Sequence, residues 1–154
     1  MQRLTGPDSY TFVLWGEAFK EIPATIFVGE LRRAGVRVKI VGLNAQRTTG
    51  HFGLKLVPDI TLDEALKLVE RAICIIIPGD FEQLQQFHHD PRVEELLTRA
   101  RNNHARVIVG RRLNPSEVNH QPWAFAQKEL IEFPEKYALI EFAEQTANSL
   151  AHTG

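Results

Sequence analysis

The chain has 154 residues, of which 44% are hydrophobic, 24% charged and 8% aromatic, and its formal net charge is -1. This length and composition are typical of one globular domain with a full hydrophobic core. The small net charge gives no electrostatic attraction to nucleic acid or to an anionic membrane, and no apolar run approaches the length of a membrane span. The start MQRLTGPDSY has no apolar signal core, so we expect one cytoplasmic domain over residues 1–154.

Short β-rich runs alternate with longer helical patterns, which predicts a parallel sheet covered by helices. In chain order we expect YTFVLW at 10–15, a helix at about 20–34 that Gly35 closes, VRVKIVGL at 36–43, a hairpin within 48–59, a helix at 61–70, ICIIIP at 73–78, a helix at 90–103, RVIVG at 106–110, ELIEF at 129–133 and a closing helix at 134–151. The alternation predicts a doubly wound α/β sheet of about five strands.

Capping residues and one buried strand give the most specific local predictions. Thr61 and Glu64 have the spacing of a capping box, and Asp90 followed by Pro91 is typical of a helix start. ICIIIP is apolar at every position, as expected for a central strand that is buried on both faces. It contains Cys74, the only cysteine, which we interpret as a core thiol because burial would block the approach of any substrate.

Charged residues follow the predicted strands at the edge where open α/β sheets bind their ligands. The residues expected at this carboxyl edge are Gly16, Glu17, Asn44, Gly79, Asp80, Gly110, Arg111 and Arg112. One interpretation is a pocket for a small anion or carboxylate, since the guanidinium group matches their geometry. The other, which we favour, is that Arg111 pairs with Glu17 or Asp80, because half-buried charges are normally paired.

Other familiar kinds of site are not indicated by the sequence. The adjacent histidines of HHD at 88–90 point in different directions, and the remaining histidines lack ligand spacing. The turn WGEAFKE after the first strand is neither a GxGxxG fingerprint nor a P-loop, and no serine lies in a G-x-S-x-G elbow. We therefore expect no metal and no cofactor.

Several segments resemble the ThiJ/PfpI superfamily, which has a fold like that of class I glutamine amidotransferases. LWGEAFKEIPATIFVGELRRAGVRVKIVGL resembles its first strand, acid-bearing turn, helix and second strand, and TTGHFGLKLVPDITLDEA resembles its hairpin and short helix. IIIPGDFEQLQQFHHDPRVEELL resembles the central strand and next helix, and ELIEF and ALIEFAEQTANSLA resemble the last strand and helix. The resemblance implies a flavodoxin-like three-layer α/β sandwich over nearly the whole chain, and pairing into dimers.

The catalytic residues of that superfamily do not carry over. The resemblance places its cysteine at about Arg111, the neighbouring histidine at about Arg112 and the supporting glutamate at Pro23, while Glu17 and Glu21 remain nearby in a different register. Only about sixteen residues, LNPSEVNHQPWAFAQK, separate this turn from ELIEF, so the elbow helix is missing as well. The combined losses imply a pseudoenzyme.

We therefore expect a non-catalytic, homo-oligomeric binding or regulatory module. The expected oligomer is a homodimer, and a small anionic ligand or another protein is a further possible partner. The alternative is a ThiJ/PfpI-type hydrolase or glyoxalase-like enzyme that uses Glu17 with an unrecognised nucleophile. A third option is a structural subunit, which a large apolar dimer face would favour. Trp123 and Phe125 either anchor an interface or cover the sheet edge that the deletion leaves bare.

Overall fold

The fold is an α/β sandwich around a parallel sheet, seen in a computed structural model that describes residues 8–43, 48–79, 90–110, 130–134 and 137–152. The strands are β1 (Tyr10–Trp15), β2 (Val38–Gly42), β3 (Thr48–Thr49), β4 (Lys55–Leu56), β5 (Ile60–Thr61), β6 (Ala72–Ile77), β7 (Arg106–Val109) and β8 (Leu130–Glu132). Six of them form one parallel sheet in the order β5-β2-β1-β6-β7-β8, and β3 and β4 form an antiparallel hairpin. The predicted flavodoxin-like α/β fold is confirmed.

The sequence pattern predicts a sheet of about five strands. The structure adds a sixth, the edge strand β5. Its residues Ile60 and Thr61 pair in parallel with Val41 and Gly42 of β2. A strand this short shows no alternation in the sequence, and Thr61 also caps the following helix. The sequence pattern therefore indicated the helix start and concealed the strand that precedes it.

Among the described residues, two helices cover each face of the sheet. They are α1 (Glu21–Arg33), α2 (Leu62–Leu68) with a short 3-10 turn after it (Val69–Arg71), α3 (Pro91–Asn102) and α4 (Tyr137–His152). Phe27 and Leu31 of α1 share one hydrophobic cluster with the buried apolar side chains of α4, and the buried apolar side chains of α2 and α3 belong to the cluster on the other face. Within the part of the chain that the structure describes, no helix is long and apolar enough to cross a membrane.

The predicted helix ends are confirmed. The Thr61 hydroxyl accepts a hydrogen bond from the backbone N–H of Glu64, and the Glu64 carboxylate accepts one from the backbone N–H of Thr61, which completes the capping box. Asp90 accepts from the backbone N–H of Arg92 at 3.0 Å, so it is the N-cap of α3. Gly35 follows α1 with a φ of +83°, the left-handed conformation typical of a glycine after a helix.

The neighbouring strands β1 and β6 form the centre of the core, because every residue of both strands is buried. Alternate side chains enter opposite faces: Phe12 and Ile75 belong to one cluster, and Val13 and Cys74 to the other. Cys74 has an exposed fraction of 0%. Its prediction as a core thiol is therefore confirmed by its position inside β6.

Thr11 places a hydroxyl in this otherwise apolar centre. It lies in β1 opposite Cys74, it is fully buried, and its Oγ1 has no hydrogen-bond partner among the described residues. A buried hydroxyl without a partner lowers stability, because it loses its hydrogen bonds to water and gains nothing in return.

We predict that Thr11→Val raises the free energy of unfolding by about 1 kcal/mol, since valine keeps the branched shape and removes the hydroxyl. Urea denaturation at pH 7 measures the change. Val13→Thr is the matched control, because it adds a hydroxyl to another buried position of β1, and it should destabilise the chain. A loss of stability in Thr11→Val would mean that the hydroxyl is hydrogen-bonded.

Candidate functional site

The carboxyl ends of three strands meet at one edge of the sheet. β6 lies between β1 and β7, so the residues that follow these strands, Glu17, Gly79 and Gly110, are brought to the same edge as predicted. Gly16 directly follows β1 and is buried. The remaining predicted members of this edge lie outside the described residues; they are Asn44, Asp80, Arg111 and Arg112.

Gly110 makes a backbone contact with the neighbouring turn. Its N–H donates to the carbonyl oxygen of Gly79 at 2.7 Å. A Cβ at position 110 would lie 2.5 Å from that carbonyl oxygen and 3.1 Å from Cζ of Phe133. Position 110 therefore requires glycine because the turns after β6 and β7 touch. The candidate pocket residue Gly110 packs against protein at this point.

The turn between β1 and α1 is tied to two other segments. Ala18 has a positive φ of 62°, and its N–H donates to the carbonyl oxygen of Thr49 at 2.9 Å. The N–H of Lys20 donates to the carbonyl oxygen of Pro78 at 3.0 Å, which fixes the start of α1 against the end of β6. The side chain of Glu17 is exposed on this turn.

Glu21, the first residue of α1, is a buried acid at this end of the sheet, with an exposed fraction of 7%. Its Oε2 accepts hydrogen bonds from the backbone N–H groups of Phe52 at 2.7 Å and Leu54 at 3.2 Å. Its Oε1 is also buried and has no hydrogen-bond partner among the described residues. The carboxylate thus joins α1 to the turn of the β3–β4 hairpin.

Gly50 allows this close contact between the helix and the hairpin. A Cβ at position 50 would lie 2.6 Å from Cδ of Glu21 and 2.9 Å from its Oε1. The hairpin is also held by the N–H of His51, which donates to the carbonyl oxygen of Phe19 at 2.9 Å. The glycine at position 50 is therefore explained by the carboxylate that packs on it.

The pKa of Glu21 is shifted by two opposing effects. Burial by itself raises the pKa, but the hydrogen bonds from the backbone N–H groups of Leu54, of Glu21 itself and of Phe52, together with the nearby charge of His51, hold the pKa below its ordinary value of 4.5. Glu21 is therefore a carboxylate at neutral pH.

The sequence indicated Glu21 only as an acid near Pro23, the position to which the resemblance assigns the superfamily's glutamate. An acidic residue in the first turn of a helix is ordinary, because it complements the helix dipole. Gly50 and Gly53 indicated a hairpin, and the structure confirms it. Nothing in the sequence indicated that the hairpin docks on this carboxylate, since the two lie about thirty residues apart.

Few ionisable side chains directly follow the strands in the described part of the edge. Among the described residues that directly follow β1, β2, β6, β7 and β8, Glu17 is the one ionisable side chain. The Cys74 thiol lies within β6, away from this edge. The described residues also contain no group of three or more histidine, cysteine, aspartate or glutamate side chains that could hold a metal ion.

These features define a flavodoxin-like α/β protein in which the described turns at the carboxyl edge contact one another. Residues 11–109 match the DJ-1/PfpI family. The chain belongs to this family, and the resemblance drawn from the sequence is confirmed at that level. No curated protein sequence matches the chain.

Solved structures share the fold over almost the whole chain. A cysteine-to-alanine mutant of a DJ-1 superfamily protein from Salmonella typhimurium has 14% identity and a TM-score of 0.73, and 94% of each chain is covered. Drosophila melanogaster DJ-1beta has 18% identity and a TM-score of 0.72, with 93% of this chain and 90% of that one covered. Oxidized Toxoplasma gondii DJ-1 has 14% identity and a TM-score of 0.70, with 94% and 96% covered. At such identities the likeness establishes the fold.

We predict that Glu21→Gln lowers the free energy of unfolding at pH 7 by about 2 kcal/mol, because the backbone N–H groups of Phe52 and Leu54 lose a charged acceptor. The folded-state pKa of Glu21 lies below its ordinary value of 4.5. The stabilisation by the carboxylate is therefore present above about pH 4.5 and is lost as the pH falls through the folded-state pKa. Urea denaturation of both proteins from pH 7 to pH 3 should show the difference shrinking over that range.

Two hairpin glycines serve as matched controls for this pH dependence. Gly50→Ala displaces the carboxylate, so its destabilisation should also shrink in acid. Gly53→Ala strains the backbone at a φ of +92° and has open space around its Cβ among the described residues, so its loss should be independent of pH. A constant difference between wild type and Glu21→Gln across the whole range would contradict the role of the carboxylate.

Proposed function

We propose that this chain is a non-catalytic member of the DJ-1/PfpI family that acts as a homo-oligomeric binding or regulatory module. The observation that carries the proposal is the position of Cys74. The only thiol of the chain lies inside a central strand with an exposed fraction of 0%, where no substrate reaches it. A cysteine nucleophile needs both solvent access and an environment that favours the thiolate.

The acids near the carboxyl edge also support a non-catalytic role. The position that the resemblance gives to the supporting glutamate is occupied by Pro23, which is buried in the first turn of α1. Glu21 is engaged with the hairpin backbone. Glu17 is exposed on the turn after β1.

The resemblance places Arg111 and Arg112 at the positions of the superfamily's cysteine and histidine. We propose that Arg111 is neutralised by an acid of the edge, with Glu17 and Asp80 as the candidates. The candidate vestigial pocket comprises Glu17, Asp80, Gly110, Arg111 and Arg112. In the alternative proposal, the same guanidinium group binds a small anionic ligand in this pocket. The proposal includes no metal and no cofactor.

The proposed setting is a single cytoplasmic domain, with a second copy of the chain as its partner and neither nucleic acid nor membrane as a target. The net charge of -1 supports this choice, because it provides no attraction for polyanions. Large apolar side chains exposed on the described surface support association with a protein.

We predict that iodoacetamide modifies Cys74 only after denaturation, because the thiol is enclosed in the sheet. Mass spectrometry of the native and the urea-treated protein at neutral pH measures this directly, since one site can react. The wild type should also show no turnover of methylglyoxal or of a chromogenic amide above that of Cys74→Ala, with circular dichroism as the check that this variant folds.

Two outcomes would overturn the non-catalytic proposal. Labelling of the native thiol within minutes, with turnover that Cys74→Ala abolishes, would restore cysteine chemistry. Turnover that survives in Cys74→Ala but disappears in Glu17→Gln would favour the hydrolase or glyoxalase-like alternative with another nucleophile.

A further inference from the structure

We propose that Asp59 closes the outer edge of the sheet on its own chain and so prevents a second copy from pairing with β2. The surface concerned is the backbone edge of β2 that faces away from β1, and the partner that it fits is the same edge of another copy. This inference goes beyond the proposed function, because it applies to any resting oligomeric state. Three observations carry it: an incompletely paired strand, a carboxylate bound to its backbone, and an edge that is complementary to itself.

The outer edge of β2 is only partly covered by another strand. On one side, β1 pairs with all five residues of β2, from Val38 to Gly42. On the opposite side, β5 pairs with Val41 and Gly42 alone. No other strand among the described residues pairs with β2 on that side. An unpaired strand edge presents backbone N–H and C=O groups to which a strand of another molecule can bind.

Asp59 occupies the backbone groups of Ile40 at this edge. The N–H of Ile40 donates to Oδ2 of Asp59 at 2.8 Å, and the N–H of Asp59 donates to the carbonyl oxygen of Ile40 at 2.8 Å. Successive residues of a strand bond to opposite sides, and the N–H of Thr11 in β1 donates to the carbonyl oxygen of Arg37. The backbone groups of Ile40, three residues later, therefore point away from β1. Asp59 takes the place that a further strand would occupy.

The carboxylate of Asp59 is held in place and keeps a charged group at the edge. Nη2 of Arg32 lies 3.3 Å from its Oδ2, and both side chains are partly exposed. Pro58, the residue before Asp59, has no N–H to offer to an added strand. Charged side chains and prolines are among the residues by which natural sheets prevent edge-to-edge pairing.

The short strand β5 also has a backbone group bound to a carboxylate of the same chain. The N–H of Thr61 donates to Oε1 of Glu64 at 3.3 Å. That contact belongs to the capping box of α2, in which Thr61 is the N-cap. Helix capping therefore explains the contact of Glu64. It does not explain the contact between Asp59 and Ile40, which closes the strand edge.

A second copy is the partner that fits this edge. Two identical edges that run antiparallel about a two-fold axis each present the donors and acceptors that the other needs. The segment VRVKI at 36–40 has the alternation and the β-branched residues that favour a strand. In the wild-type chain such pairing would break both contacts of Ile40 with Asp59. It would also bring two aspartates toward each other, and like charges that face across paired strands are destabilising.

We predict that Asp59→Ala associates into larger species than the wild type at the same concentration, because it frees the N–H of Ile40 and removes the charge from the edge. Sedimentation velocity over a concentration series measures the size of the species. In dilute solution, amide exchange followed by NMR should show the Ile40 amide exchanging about tenfold faster in the variant, as expected for the loss of one hydrogen bond to a charged group. Association at higher concentration should protect this amide again.

Two variants and the wild type itself serve as controls. Asp59→Asn keeps an oxygen acceptor for Ile40, so it should restore most of the protection of this amide and associate less than Asp59→Ala. Asp63→Ala makes the same substitution at an aspartate of α2 that pairs with Arg92 at 2.8 Å, and it should sediment like the wild type. In the wild type, protection of the Ile40 amide should be independent of concentration, because its acceptor belongs to the same chain.

Three results would overturn the inference. The first is an Asp59→Ala protein that sediments like the wild type although its Ile40 amide exchanges faster. The second is association of Asp59→Ala together with loss of amide protection throughout β1 and β6, which would assign the association to unfolding. The third is protection of the wild-type Ile40 amide that rises with concentration, since a partner would then supply the acceptor. Each variant is compared with the wild type, so none of these results depends on whether the proposed homo-oligomer forms.

Discussion

The burial of β1 and β6 on both faces is the constraint on which the rest of this structure depends. Every residue of both strands is buried, so their backbone groups must pair with neighbouring strands. Their side chains must be apolar, because a polar side chain such as Thr11 lowers stability when it is buried without a hydrogen-bond partner. Polar chemistry is thereby confined to the ends of the strands. The same burial encloses the thiol of Cys74, and this separates the chain's one thiol from the edge where α/β sheets bind ligands.

The carboxyl edge is held together by contacts between turns. Gly110 donates to Gly79, Lys20 donates to Pro78 and Ala18 donates to Thr49, so three connections are fixed by backbone hydrogen bonds. The carboxylate of Glu21 extends this network to the β3–β4 hairpin. These backbone groups hold neighbouring turns together, and the Oε1 of Glu21 is buried there without a hydrogen-bond partner among the described residues.

The hairpin is held to α1 by one buried carboxylate. Glu21 packs on Gly50, its Oε1 is buried, and its Oε2 accepts from the backbone of the hairpin turn. The same turn presents Phe52 to solvent. Loss of the carboxylate would therefore remove the acceptor that holds the turn on the helix.

The sequence by itself determined the class of fold, the helix ends and the burial of Cys74. Capping residues such as Thr61 and Asp90 act on neighbouring backbone groups, and an unbroken apolar run such as ICIIIP has one stable place in a sheet, so short-range chemistry was sufficient. It also brought Glu17 and Gly110 to one edge, because parallel strands end on the same side. The tertiary structure decided what the sequence could not: the edge strand β5, the contact of Gly110 with Gly79, and the docking of Glu21 on Gly50. Each of these depends on atoms that are far apart in the chain, and no local pattern of residues records such a distance.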